Sequence, residues 1–170
     1  MIRGAPENAG RLIAIARRPA PRAAMEEISS GFISAETGLE GDHKGPKFPL
    51  RRITVLAREA WEAALAELEV LAGPVLLPWT ARRANLFVEG VDLPRARGGI
   101  VRIGQAVLEV TYPTQPCRRM DEAHPGLLKA LHPDWRGGIT CRVIEGGPVR
   151  LGDEVAVLLA PPENRVHLPG

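Results

Sequence analysis

Short apolar runs broken by glycine and proline constrain this fold more than any other feature of the chain. Among its 170 residues, 18 are glycine and 16 are proline, so few stretches run long without a turn. Arg11–Ala16, Gly31–Ala35, Arg52–Leu56, Asn85–Val88, Ile100–Ile103, Gln105–Thr111, Ile139–Ile144 and Glu154–Leu159 each read as a short strand. In the longest of these, Val107, Glu109 and Thr111 alternate with Ala106, Leu108 and Val110, the period of two of a half-buried strand. Two segments read as helices. Trp61, Ala64, Leu65 and Leu68 share one face of a helix stopped by Gly73-Pro74, and Leu127, Leu128 and Leu131 share a face of Pro125–Leu131. Gly38–Pro46 reads as a loop, Gly146-Gly147 as a turn, and the chain from Pro161 onward as a frayed tail. Roughly seven to nine strands with two helices, in no regular alternation, predict a mainly β (α+β) domain, a barrel or sandwich with helical insertions. The same pattern argues against a doubly wound α/β fold. No linker or repeat interrupts it, so residues 1–160 are expected to form one domain and residues 161–170 a C-terminal tail.

Composition excludes several classes of function. No apolar stretch approaches the roughly 20 residues that span a bilayer, so no membrane partner is expected. Met1–Pro6 lacks the apolar core of a signal peptide, which makes the cytoplasm the expected location. The two cysteines, Cys117 and Cys141, are then expected as free thiols. A net charge of +2 is too small to imply nucleic acid. The kind of positive charge says more. Lys44, Lys47 and Lys129 are the only lysines, whereas arginines recur in pairs at Arg17-Arg18, Arg51-Arg52, Arg82-Arg83 and Arg118-Arg119. Arginine grips planar or tetrahedral anions through two parallel hydrogen bonds. A solvated basic surface is the plainer reading of any one pair.

One nucleophile stands out. The run Val107–Pro113 delivers a strand to the corner Thr114-Gln115-Pro116-Cys117, and Arg118-Arg119 follow at once. Fixed positive charge beside a thiol favours the thiolate, which attacks electrophiles, carries sulfur or binds a soft metal. Cys141, inside a strand, reads as a small buried hydrophobe. The chain holds no Walker loop, GxSxG, HExxH or zinc-type CxxC.

A series of motifs then becomes specific through its order. Gly38-Leu39-Glu40-Gly41-Asp42-His43, Arg52-Ile53-Thr54-Val55-Leu56, Arg83-Ala84-Asn85-Leu86 and Gly90-Val91-Asp92-Leu93 come first. Ile103-Gly104, Pro116-Cys117, Gly137-Gly138-Ile139 and Gly147–Val155 complete it. This series resembles the MOSC domain, named for the C-terminal domain of molybdenum cofactor sulfurases, over about Arg11 to Leu159. The resemblance implies a mixed β-barrel with two or three short helices and a pocket at one end. It also implies chemistry of the molybdenum cofactor (molybdopterin) built on one signature cysteine, here Cys117, as metal ligand and reacting group. Arg52, Arg83 and Arg118 are the candidates to grip the cofactor's phosphate, with Lys44 and Thr114 completing the set. Asn85 reads as a partner for pterin edges or as a loop latch, and Asp42 as a ligand or a turn cap. His43 reads as a proton relay or a pocket-rim residue.

Three functions follow from the resemblance. The domain binds molybdenum cofactor and reduces a small N-oxygenated substrate, with a separate electron-transfer protein as donor. Alternatively it carries sulfur as a Cys117 persulfide loaded by a cysteine desulfurase. The third is a module that binds the cofactor or a related anion without turnover.

Overall fold

The computed structural model describes residues 8–115 and 117–163. Pro116 of the Pro-Cys pair, the run Met1–Pro6 and residues 164–170 of the expected tail lie outside them. The strands are β1 (Ala9–Arg17), β2 (Glu26–Ile28), β3 (Ser30–Ser34), β4 (Gly38–Leu39), β5 (Ile53–Ala57) and β6 (Leu86–Glu89). They continue with β7 (Ile100–Ile103), β8 (Ala106–Pro113), β9 (Ile139–Glu145), β10 (Gly147–Arg150) and β11 (Glu154–Leu159). Three α-helices, α1 (Arg58–Ala72), α2 (Arg118–Ala123) and α3 (Leu127–Leu131), complete the regular structure of the described residues.

Seven strands close into a barrel in the order β1-β6-β5-β9-β8-β7-β11, and β11 returns to pair with β1. Only β5 and β6 run parallel among these neighbours, which makes the barrel mixed. Closure removes the exposed sheet edge. β2 extends the sheet beyond β1, and β10, β3 and β4 form a separate three-stranded sheet.

Strand alternation divides the core in two. Ile53 and Val55 of β5 and Leu86 and Val88 of β6 point into the barrel with Leu12, Val101, Leu108, Val110 and Cys141. The intervening Leu56 and Phe87 point outward, where they pack with Trp61, Ala64 and Leu68 of α1 and with Met120, Leu127 and Leu131. α1 thus lies across the outer wall of β5 and β6. The expected apolar face of this helix holds, except that Leu65 is only partly buried.

The sequence reading omitted four elements. β2, β4 and α2 are too short to carry a readable period. β10 occupies Gly147–Arg150, partly read as a turn; glycine and proline there hide a strand that pairs with β3. Pairing across the molecule, not local propensity, makes these residues strands.

Candidate functional site

The strand periodicity that fills the barrel also paves a cavity on its outer wall. Ile53, Val55, Ile139 and Cys141 face inward, so Thr54 of β5 and Thr140 of β9, which lie opposite each other, face out. They floor a cavity of about 850 Å³. Its walls come mainly from three segments, 42–51, 82–85 and 112–115 with 117–120, and Arg18 and Met25 add a fourth.

Each segment is folded there for a local reason. The first is held back against β5 by the Arg52 guanidinium, which donates to the Gly45 carbonyl at 2.7 Å. Gly45 is required, because a Cβ would collide with the carbonyl oxygen of Thr37. The second is a 3-10 turn, Trp79–Arg82. Trp79 stacks on Phe87 at 5.0 Å between ring centroids, and its indole N–H donates to Glu27 at 2.8 Å. Arg83 then closes the turn at φ 64°, a left-handed conformation that glycine or asparagine adopts more readily. A bulky residue held there marks a place where the side chain matters more than the strain. The third segment continues β8. Thr114 donates its N–H to Gly138 O at 2.9 Å, Cys117 caps α2 with its backbone, and Met120 anchors that helix in the core.

The charge around the cavity is one-sided. Arg18, Lys44, Arg51, Arg82, Arg83 and Arg119 line it against a single carboxylate, Asp42. None of the five arginines has a carboxylate within ion-pair distance among the described residues. Burial acts on these cations. Arg82 is 5% exposed. Desolvation pulls its pKa down to about 10, offset in part by the Cys117 side chain when ionised. Desolvation also lowers Arg83, and the neighbouring Arg18 and Arg119 charges push the same way. Lys44 falls to about 8, chiefly through burial and against the pull of Asp42; its ammonium donates to Thr54 Oγ1 at 3.0 Å.

Unmet hydrogen bonding gathers in the same place. Among the described residues, Asp42 Oδ2, Arg82 Nη2 and Thr114 Oγ1 are the buried side-chain polar atoms without a partner. All three residues line the cavity. Buried polar groups are normally satisfied, so their convergence on one cavity marks a place for polar atoms from elsewhere. Cys117 is exposed there, and Cys141 is buried in the barrel, where desolvation raises its pKa and keeps it a neutral, small apolar group.

Comparison with known proteins gives this cavity a context. The MOSC domain model matches residues 42–156, which carry most of the barrel and all but one stretch of the cavity wall. This chain belongs to the MOSC domain family. That family is associated with molybdenum cofactor binding. Solved structures agree on the fold. The YuaD protein from Bacillus subtilis superposes with a TM-score of 0.65 at 19% identity, covering 86% of this chain and 94% of its own. YiiM from Escherichia coli does so with a TM-score of 0.65 at 20% identity, covering 89% and 71%. YiiM from Geobacillus stearothermophilus gives 0.61 at 18% identity, covering 88% and 73%. No curated protein matches this chain by sequence.

Within this MOSC domain, Cys117, Arg83, Asn85, Asp42, Lys44 and Thr114 all line the cavity. Three expected residues do not. Arg52 turns its guanidinium onto the Gly45 carbonyl, and the neighbouring Arg51 lines the cavity instead. Arg118, at the start of α2, is exposed and outside the lining, and Arg119 takes its place. His43 sits half-buried beside the cavity, its Nε2 at 2.8 Å from Lys47 Nζ. Asn85 acts as a latch. Its Oδ1 accepts from Thr54 N–H at 3.0 Å and its Nδ2 donates to Ala16 O at 3.3 Å, tying β5 to β1. Asp42 Oδ1 accepts from Arg18 N–H at 2.9 Å, which leaves Oδ2 for the cavity. Arg18, Arg51, Arg82 and Arg119 were not singled out by sequence. The signal was the pairing itself, since each of the four arginine pairs sends at least one member to the cavity.

Proposed function

We propose that this protein binds molybdenum cofactor in the cavity, with Cys117 as the metal's protein thiolate, and with a separate electron-donating protein reduces a small N-oxygenated compound. The observation that carries this reading is an exposed thiol sharing a cavity with five arginines that lack carboxylate partners. A phosphate-bearing ligand supplies the counter-charge those arginines lack. Among the described residues no three His, Cys, Asp or Glu side chains cluster for a metal. A single soft thiolate suits a metal that arrives on an organic carrier, since a site made by protein alone needs about three or four ligands.

The residues present fit such a group. Arg83, Arg51 and Arg119 would hold its phosphate, Lys44 would add a charge beside the Thr54 hydroxyl, and Asp42 Oδ2 would accept from ring N–H groups. The bound cofactor would supply the redox chemistry. The chain's own part is to fix that group, to offer the thiolate, and to present cations that lower the cost of negative charge in a partly desolvated space. Metal analysis tests the reading on protein made in a cofactor-competent host. Near-stoichiometric molybdenum in the wild type, lost in Cys117→Ala, is expected; metal retained by the variant would overturn the ligand role.

The exposure of Cys117 favours one second reading, sulfur carriage on that thiol, because a persulfide must be handed between proteins. After incubation with a cysteine desulfurase, mass spectrometry would then show a sulfur adduct on Cys117, and no adduct would dismiss it.

A further inference from the structure

We propose that Arg82 and Thr114 form an oxyanion subsite beside Cys117 that takes the carboxylate, or a similar oxyanion group, of the small-molecule substrate. As a statement about substrate class, it rests on the preceding functional reading; as a binding site, it stands on its own geometry.

Arg82 is among the most deeply buried cations of the described chain and lines the cavity wall. Its Nε donates to Gly137 O at 2.8 Å, which fixes the guanidinium, yet Nη2 has no partner and no carboxylate pairs with the group. Thr114 brings a second orphan, its Oγ1. The two residues meet at Gly137. A Cβ on that glycine would lie 2.9 Å from the Thr114 carbonyl oxygen and 3.4 Å from Arg82 Nη2. A charged donor and a hydroxyl, both buried and both unmet, on two residues that border one glycine and line one cavity, are complementary to an anionic oxygen. Cys117 lines the same cavity, so the subsite and the thiol open onto one shared space. The exposed Arg51 and Arg119 of the lining are left for the phosphate of a larger ligand. Burial of Arg82 also makes the subsite selective: a neutral ligand leaves its charge uncompensated in a desolvated place.

Alkylation of the metal-free full-length protein reads this directly. The Cys117 sulfur displaces iodide from iodoacetate or from iodoacetamide; a C–S bond forms, the C–I pair leaves with iodide, and the thiol proton passes to solvent. The reagents differ mainly in charge, and Cys141 is buried and shielded from both. The readout is the rate ratio of iodoacetate to iodoacetamide, divided by that of a small free thiol, in about 1 M salt, where charges beyond about 3 Å are screened. The wild type is expected to favour iodoacetate about tenfold, the size of one charge-assisted hydrogen bond. Arg82→Gln should return the ratio to within about twofold of the free thiol, and Thr114→Val should lower it about threefold. Arg82→Lys keeps the charge, loses the fork and should fall between; with Thr114→Val it keeps the test alive if Arg82→Gln does not fold. A wild-type ratio equal to that of the free thiol, or a raised ratio untouched by these variants, overturns the subsite. No molybdenum enters the assay, so this result and the metal analysis can fail separately.

Discussion

The barrel surface outside the cavity and the cavity lining use arginine for opposite ends. Outside the lining, cross-strand charges are matched: Arg142 grips Glu109 at 2.9 and 3.0 Å, and Arg102 meets Glu154 at 3.0 Å. At the start of α1, Arg58 holds both Glu62 and Glu89. Among the described residues, Arg17, Arg58, Arg95, Arg102, Arg136, Arg142 and Arg150 make carboxylate ion pairs, and none of them lines the cavity. The five that do line it make none. The pairing is cheap where water already screens the charges, and it adds little to stability. Leaving the buried Arg82 guanidinium without a counter-charge costs stability, whereas the more exposed arginines of the lining cost little. The contrast separates arginines that keep the surface soluble from arginines that wait for a partner.

Substitutions can break that contrast in order of effect. Cys117→Ala removes the one exposed thiol of the cavity. It is expected to abolish metal retention while leaving thermal unfolding within about 0.5 kcal/mol of wild type, as checked by elemental analysis and calorimetry. Arg83→Gln deletes an unpaired cation at a left-handed position. It should weaken sulfate binding about ten- to hundredfold by titration calorimetry and leave stability unchanged or improved. Asn85→Ala should act on the fold. It strands the Thr54 N–H between β5 and β1 and is expected to cost about 1–3 kcal/mol in chemical denaturation.

The pH dependence sharpens the comparison further. Lys44 titrates near 8 in the folded protein, against an ordinary value of 10.5. A bound anion favours its charged form, so sulfate affinity should fall as pH rises from about 7 to about 9, and Lys44→Met should flatten that profile. The sign for stability is the reverse. Below about pH 8 both states carry the proton and the burial penalty is complete; from about 8 to 10.5 the unfolded chain binds more protons, so the Lys44 contribution to stability rises with pH. The smallest effect belongs to the arginines outside the cavity lining. Arg142→Ala breaks an exposed pair and should shift stability by no more than about 0.5 kcal/mol with no change in anion binding.

Much of the fold was legible because its longer strands state their period. β5, β7, β8, β9 and β11 carry alternating or β-branched runs closed by turn residues, and α1 carries a helical stripe ended by glycine. β2, β10 and α2 were not legible, since each owes its conformation to a distant neighbour. The site was legible as residue types. Cys117 followed from its arginine-flanked corner, and Arg83, Asn85, Asp42, Lys44 and Thr114 all reach the cavity that it shares. Choosing between neighbours was beyond sequence. Adjacent side chains leave the backbone in different directions, so nothing in Arg51-Arg52 or Arg118-Arg119 says which member turns inward.

By itself the sequence determined a mainly β domain, its family resemblance, and an unusual weight of arginine beside one thiol. The tertiary structure decided which cations stay unpaired and where they converge. Ion pairing and burial depend on groups far apart in the chain: Arg82 is fixed by Gly137, Lys44 by Thr54, and Arg18 by Asp42. Folding of the barrel and its connecting segments brings those partners together, and only then does unmatched charge gather in one candidate site.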